Sequence, residues 1–236
     1  MKHQYFGDIN DFRKYGLLRI LTANGLKRLG ICWMLTEDDN RTDGNFTRYL
    51  NEPHRWRATD PTLFDALAAG LASADVRRIS EHLLEPLLPN TIFAAEMIPD
   101  NAQERARSMA QIVTRFHDRD LVFLDPDNGL EVRSVRKGNK KSNKYLYWDE
   151  VAAFWRIGAS VLVYQHFPRE KRDLFTPRIA GKMREVTGAH EIHTFATSNV
   201  AFLFAPRRGE EHWYRERSKA VEKLWSANFT HGVYSD

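Results

Sequence analysis

Leu121-Val-Phe-Leu-Asp125-Pro-Asp-Asn-Gly129-Leu-Glu131 is the stretch on which the fold turns. Four apolar residues in a row stop at a carboxylate, a proline and a glycine-bearing turn. An apolar run without polar alternation reads as a strand covered on both faces, the habit of parallel sheets. Leu29–Leu35 and Ser160–Gln165 read the same way, and Thr91–Ile98 is a further strand candidate. Helical patterns lie between these runs. Phe12, Tyr15, Leu18 and Leu21 share one face of a helix over 11–24, with Asp8 or Asn10 as its cap and Gly25 at its end. Residues 61–84 are mainly helical until Pro86 and Pro89 break the pattern. Asn101 caps a helix reaching Arg115, with Met109, Ile112, Val113 and Phe116 turned inward. Helices are also predicted over 148–157, over 169–186 with an interruption near Pro177, and over 210–225. Two late strands, 192–196 and 200–205, are joined by Thr197-Ser-Asn199, too short for a parallel crossover, so they pair antiparallel. The expectation is one α/β domain over 1–236: a three-layer sandwich whose mostly parallel central sheet carries a late antiparallel hairpin.

The totals fit that expectation. Hydrophobic residues make up 42% of 236, enough for a sizeable core. No apolar run approaches the roughly 20 residues that cross a bilayer, and the opening Met1–Asp8 lacks a signal-peptide core. Cys32 is the only cysteine, which rules out an internal disulfide and a multi-cysteine zinc site. A reducing cytoplasm is the expected location.

The net charge of +4 permits an anionic partner. Its distribution says more. Arg133, Arg136, Lys137, Lys140, Lys141 and Lys144 occur together with no acidic residue among them. They read either as a solvated loop or as an arm contacting the phosphates of RNA or DNA.

Ligands of open α/β sheets lie beyond the carboxyl ends of the strands. Three such ends carry polar groups: Leu35-Thr36-Glu37-Asp38-Asp39 with Asp43 and Gly44 nearby, the Asp125 stretch, and Val163-Tyr-Gln-His166-Phe-Pro-Arg169. The second is the sharpest. Asp125 sits at the last position of a buried strand, with Asp127 and Asn128 offering a carboxylate and an amide just beyond. Those groups suit an exocyclic amine. Asp125, Asp127 and Glu131 are also oxygen ligands suited to Mg²⁺ or Mn²⁺. His166 follows the neighbouring strand and is placed to face the same cleft.

Gly7-Asp-Ile-Asn-Asp-Phe-Arg-Lys14-Tyr-Gly-Leu-Leu18 resembles the opening of the J-type large-subunit ribosomal RNA adenine-N6 methyltransferases, and Asp125-Pro126 matches the first half of that family's Asp-Pro-Pro-Tyr motif. The order of elements is similar over most of the chain. The resemblance implies a class I methyltransferase-like fold, S-adenosylmethionine as cofactor held near Lys14, Thr36, Asp43 and Gly44, and a nucleic-acid substrate. Two departures stand out. The family's Gly-rich turn after the first strand is replaced by Leu35–Gly44, and its Pro-Tyr by Asp127-Asn128. Three readings follow: a methyltransferase acting on an amine in RNA or DNA, a metal-dependent nuclease or phosphoesterase, and an accessory module without catalysis.

Overall fold

The computed structural model describes residues 1–38, 46–73 and 77–235. In chain order they form α1 (Ile9–Leu21), β1 (Leu29–Cys32), α2 (Pro53–Trp56), α3 (Pro61–Ala72), α4 (Glu81–Leu84), β2 (Thr91–Ala94), α5 (Ala102–Arg115) and β3 (Leu121–Leu124). There follow β4 (Gly129–Leu130), β5 (Tyr145–Leu146), α6 (Trp148–Arg156), β6 (Ser160–His166), α7 (Arg172–Thr187), β7 (Glu191–Ala196), β8 (Val200–Ala205), α8 (Glu211–Leu224) and β9 (Thr230–Ser235). Seven strands make the main sheet in the order β2-β1-β3-β6-β8-β7-β9, and β4 pairs with β5 as a separate short ladder. The first four strands run parallel. β8 runs against β6, and β7 and β9 follow it antiparallel.

Alternation along the strands sorts the core into two layers, because successive side chains point to opposite faces. Leu121 and Phe123 of β3, with Leu162 and Tyr164 of β6, pack with residues of α1, α3, α4 and α8. Val122 and Leu124, with Val161 and Val163, pack with α5, α6 and α7. The result is helices on both faces of one sheet. The same parity carries Asp125, two residues beyond Phe123, toward the α1 face. On that face, Gly16 lets Trp225 lie directly on α1: a Cβ there would stand 2.0 Å from the indole ring.

The sequence reading needs five adjustments. The strand expected over 29–35 ends at Cys32. The strand expected over 91–98 ends at Ala94, with only an isolated bridge between Leu35 and Met97 beyond it. The helical stretch over 61–84 is two helices, the first ending at Ala72. α7 runs through Pro177 without interruption. Proline there forfeits a bond to the carbonyl of Asp173, which is exposed and can take water instead, while Phe175, Ile179, Ala180 and Met183 stay buried. Finally, β9 extends the sheet past the predicted hairpin; its short, half-polar Thr230-His-Gly-Val-Tyr-Ser235 carries little strand signal. Among the described residues, no helix is long and apolar enough to cross a membrane.

Candidate functional site

The chain passes from β1 outward to β2, then returns to place β3 on the other side of β1. Strand order therefore reverses between β1 and β3, and such a switch point opens a crevice at the carboxyl ends. A crevice of about 300 Å³ lies there, lined by Met1, Lys2, Tyr5, Asp8, Asn10, Lys14, Phe46, Asp125, Pro126, Asp127, Asn128, Lys144, Tyr164 and His166. That volume is at the lower end of the roughly 300–1,000 Å³ of small-molecule sites.

Its floor is an ion-pair network. Asp8 caps α1, accepting from the N–H groups of Asn10 and Asp11. Asp11 and Lys14 stand one turn apart on the same helix face. Lys14 Nζ lies 3.2 Å from Asp11 Oδ1 and 2.8 Å from Asp125 Oδ2, with both partners buried. The ammonium also sits over the Tyr164 ring, 4.4 Å from its centre. Burial alone would lower the Lys14 pKa, yet the Asp125 and Asp11 carboxylates hold it well above its ordinary value. Burial pushes the Tyr164 phenol up. The Met1 nitrogen donates to the carbonyl oxygens of Met34 (3.3 Å) and Asp125 (3.1 Å), so Met1 bridges the ends of β1 and β3.

Asp127 lies one step further out. Its Oδ2 forms an ion pair with Lys144 Nζ at 3.1 Å. Its Oδ1 is buried and has no hydrogen-bond partner among the described residues. The turn holding Asp127 is closed by Gly129, whose φ of +95° suits glycine and whose Cβ would collide with the Gln165 amide at 2.6 Å. Gln165 Oε1 in turn accepts from the Leu130 N–H. Asn128 is exposed at the rim. His166 packs edge-on against Tyr164. Although its surface is exposed, its ring lies deep enough among protein atoms that desolvation, then the Lys14 charge, pushes its pKa below the ordinary histidine value. Asp125, Asp127, Asn128 and His166 are therefore brought together as the sequence reading expected. Asp125 differs in one respect: it is 1% exposed and already holds Lys14.

The basic segment is tied down. The Asn128 N–H donates to the Lys144 carbonyl, and β4 pairs with β5, so the excursion over 131–144 is pinned at its base. Asp100 accepts from the N–H groups of Lys141 and Asn143. Arg105, fully buried, grips Glu150 through two nitrogens and donates to the carbonyls of Ser142 and Tyr145. Lys137 pairs with Asp149 and Glu150, and Lys144 with Asp127. Arg133, Arg136, Lys140 and Lys141 are exposed and have no ion pair among the described residues. A second groove, about 740 Å³, continues from Asn128 and His166 past Arg133, Tyr145, Phe167 and Pro168.

The metal reading does not assemble. Glu131 accepts from the Trp148 N–H at the start of α6 and lines the outer grooves, away from Asp125. Among the described residues, no three acidic, histidine or cysteine side chains are grouped to hold a metal ion. Of the residues assigned to S-adenosylmethionine, Lys14 and Thr36 have internal partners. Lys14 is engaged by two carboxylates, and Thr36 gives both its N–H and its hydroxyl to the Met1 carbonyl. Asp43 and Gly44 lie outside the described residues. The sequence reading missed Asp8, Asp11 and Met1 as members of the site. The first two had a signal: with Lys14 they recur every third residue along one helix.

No family model matches the chain, and no curated protein does. Among solved structures, the crystal structure of protein LPL1258 from Legionella pneumophila str. Philadelphia 1, of family model DUF519, aligns over 98% of this chain and 97% of that one. The identity is 10% and the TM-score 0.40.

Proposed function

We propose that this chain is a methyltransferase-like α/β protein that acts on nucleic acid, receiving a base amine at the turn that follows β3. The observation behind this reading is the double membership of Lys144. It belongs to the basic segment 133–144 and also forms a wall of the switch-point crevice, paired with Asp127. A strand whose phosphates follow the exposed cations of that segment has its bases beside the crevice mouth. A base entering a crevice must leave its stack, which costs a few kcal/mol and is easiest in single strands or at mismatches. Aromatic side chains that line the crevice, Tyr5, Phe46 and His166, offer faces against which a base packs.

The parallel block with a reversed hairpin, and Asp125-Pro126 at the end of β3, support the methyltransferase-like part of the reading. Methyl transfer to the bound amine is the reaction the resemblance implies. Lys14 and Thr36 are committed to internal partners, so the reading stands on nucleic-acid recognition and not on how a methyl donor is held.

Incubating the protein with single-stranded RNA or DNA and S-adenosylmethionine, followed by mass spectrometry of the digested nucleosides, tests the whole reading. The expected result is a nucleoside heavier by one methyl, absent with Asp125→Asn. Binding of strands without methylation, and without calorimetric heat from S-adenosylmethionine, removes the transferase and keeps the binding protein. No binding of either nucleic acid removes both.

A further inference from the structure

We infer that His193 and His231 form a pH-sensitive fastening for the edge strand β9, which holds one shared positive charge and opens when a second proton arrives. Nothing in it depends on what the crevice binds.

Periodicity brings the groups together. Glu191 and His193 are alternate residues of β7 and share one sheet face. Arg215, Ser218 and Glu222 recur at helical spacing on α8 and reach the same place. β9 ends the sheet beside β7. In that ladder His231 stands opposite Phe195 and stacks on its ring, with centres 4.9 Å apart. It is therefore the diagonal neighbour of His193, and the two imidazoles stack with centres 5.2 Å apart.

The four ring nitrogens fix the protons. His193 Nε2 lies 2.9 Å from Glu191 Oε1, and His231 Nδ1 lies 2.8 Å from Glu222 Oε1. An ionised carboxylate only accepts, so both of these nitrogens carry protons. Burial opposes the charge on Glu191, yet the bonds from Arg215 and His193 hold its pKa below the ordinary value. The inner nitrogens, His193 Nδ1 and His231 Nε2, face each other at 3.0 Å. That bond needs one proton, carried by either ring. Ser218 Oγ, 3.1 Å from His193 Nδ1, donates or accepts and suits both placements. Three protons on two imidazoles make one positive charge. A fourth sets two N–H groups head to head and stacks two cations.

The fourth proton is the one His193 resists. Its side chain is buried, and burial pushes its pKa below the ordinary value, aided by the His231 and Arg215 charges and opposed by Glu191. An opened strand, with the ring in water, takes that proton more readily than the closed one. The closed arrangement is therefore held at neutral pH and weakens as pH falls through the ordinary histidine value of 6.5.

Amide exchange over 230–235 tests this, expressed as protection relative to the free amide so that the intrinsic pH dependence cancels. Between pH 7 and pH 5, protection of β9 is expected to fall roughly tenfold or more, while that of β3 does not fall. His231→Gln supplies an amide that turns to offer a donor or an acceptor, so it meets His193 in either protonation state. In that variant the fall is expected to disappear. Ring-nitrogen NMR of the parent protein gives a second reading should the variant not fold: a further proton is expected to enter the pair over the same pH range in which β9 opens. Unchanged β9 protection, a fall as large in folded His231→Gln, or a second proton taken up without opening of β9 would each overturn the fastening.

Discussion

Lys14 Nζ stands 2.8 Å from Asp125 Oδ2, joining the first helix to the end of β3 across 111 residues of sequence with both side chains out of solvent. The contact follows from two periodicities. Lys14 shares a helix face with Asp11, and Asp125 shares a strand face with Leu121 and Phe123, whose packing is with α1. Buried charges of this kind are costly when one partner is removed. The two ends are not equivalent. Lys14 serves two carboxylates, whereas Asp125→Asn leaves the lysine with Asp11. Lys14→Met is expected to destabilise by about 3–5 kcal/mol, and Asp125→Asn by clearly less. Urea unfolding of the two variants checks the order, and an equal or reversed order would contradict the shared-lysine arrangement.

Asp8 makes the same network sensitive to pH. Burial first, and the neighbouring Asp11 second, push its carboxyl up to about 7. A folded-state pKa above the ordinary value means that the folded protein holds the proton more tightly than the unfolded chain. This contribution to stability is complete below the unfolded value of 3.8 and is lost as pH rises through about 7. Asp8→Asn keeps an N-cap of similar quality and removes the titration. The variant is expected to show a shallower fall in stability between those pH values and to exceed the parent protein above them. Denaturant midpoints across that range read it directly; an unchanged slope would place the titration elsewhere.

The sheet is legible because its central strands are mostly apolar and β3 ends at a sharp polar break, Leu124-Asp125, whereas the break at Leu35-Thr36 falls three residues beyond the end of β1 at Cys32. β9 is not legible, since an edge strand with glycine at 232 and exposed residues lacks both periodicity and hydrophobicity. Asp125, Asp127, Asn128 and His166 could be named as neighbours because strand ends converge by topology alone. Their pairing could not be read. Whether Asp125 faces a ligand or a lysine depends on how α1 lies across the sheet, and that is set by contacts as remote as Gly16 with Trp225. The pairing of Lys14 is not legible in the sequence, because helical spacing does not reveal a carboxylate supplied by another element.

Arg105 is expected to control the basic segment without belonging to it. Its guanidinium reaches Glu150 and two backbone carbonyls, Ser142 and Tyr145, and so holds the end of the segment against α5 and α6. A lysine keeps the charge but cannot span that planar set of acceptors. Arg105→Lys is expected to cost roughly 3 kcal/mol and to speed amide exchange over 142–146, a region far from the substitution in sequence. Unchanged exchange there, in a variant that is destabilised, would mean that the arginine supports only the helices.

The final expectation concerns how the segment meets a polyanion. Four of its cations, Arg133, Arg136, Lys140 and Lys141, are exposed and have no ion pair among the described residues, whereas Lys137 and Lys144 are already paired with carboxylates. Only cations that displace counterions contribute to the salt dependence of binding, at about 0.7 per phosphate contact for a single strand and about 0.9 for a duplex. If all four contact phosphates of a single strand, the slope of log affinity against log salt is about −3. Substituting Arg133 and Arg136 together by alanine should make the slope shallower by about 1.4. Lys137→Ala should leave it almost unchanged, since that lysine is engaged by Asp149 and Glu150. Anisotropy titrations over a range of salt separate these outcomes. A slope equally sensitive to Lys137 and to the exposed arginines would mean that the internal pair opens on binding, and that the segment meets nucleic acid in a different arrangement from the one described.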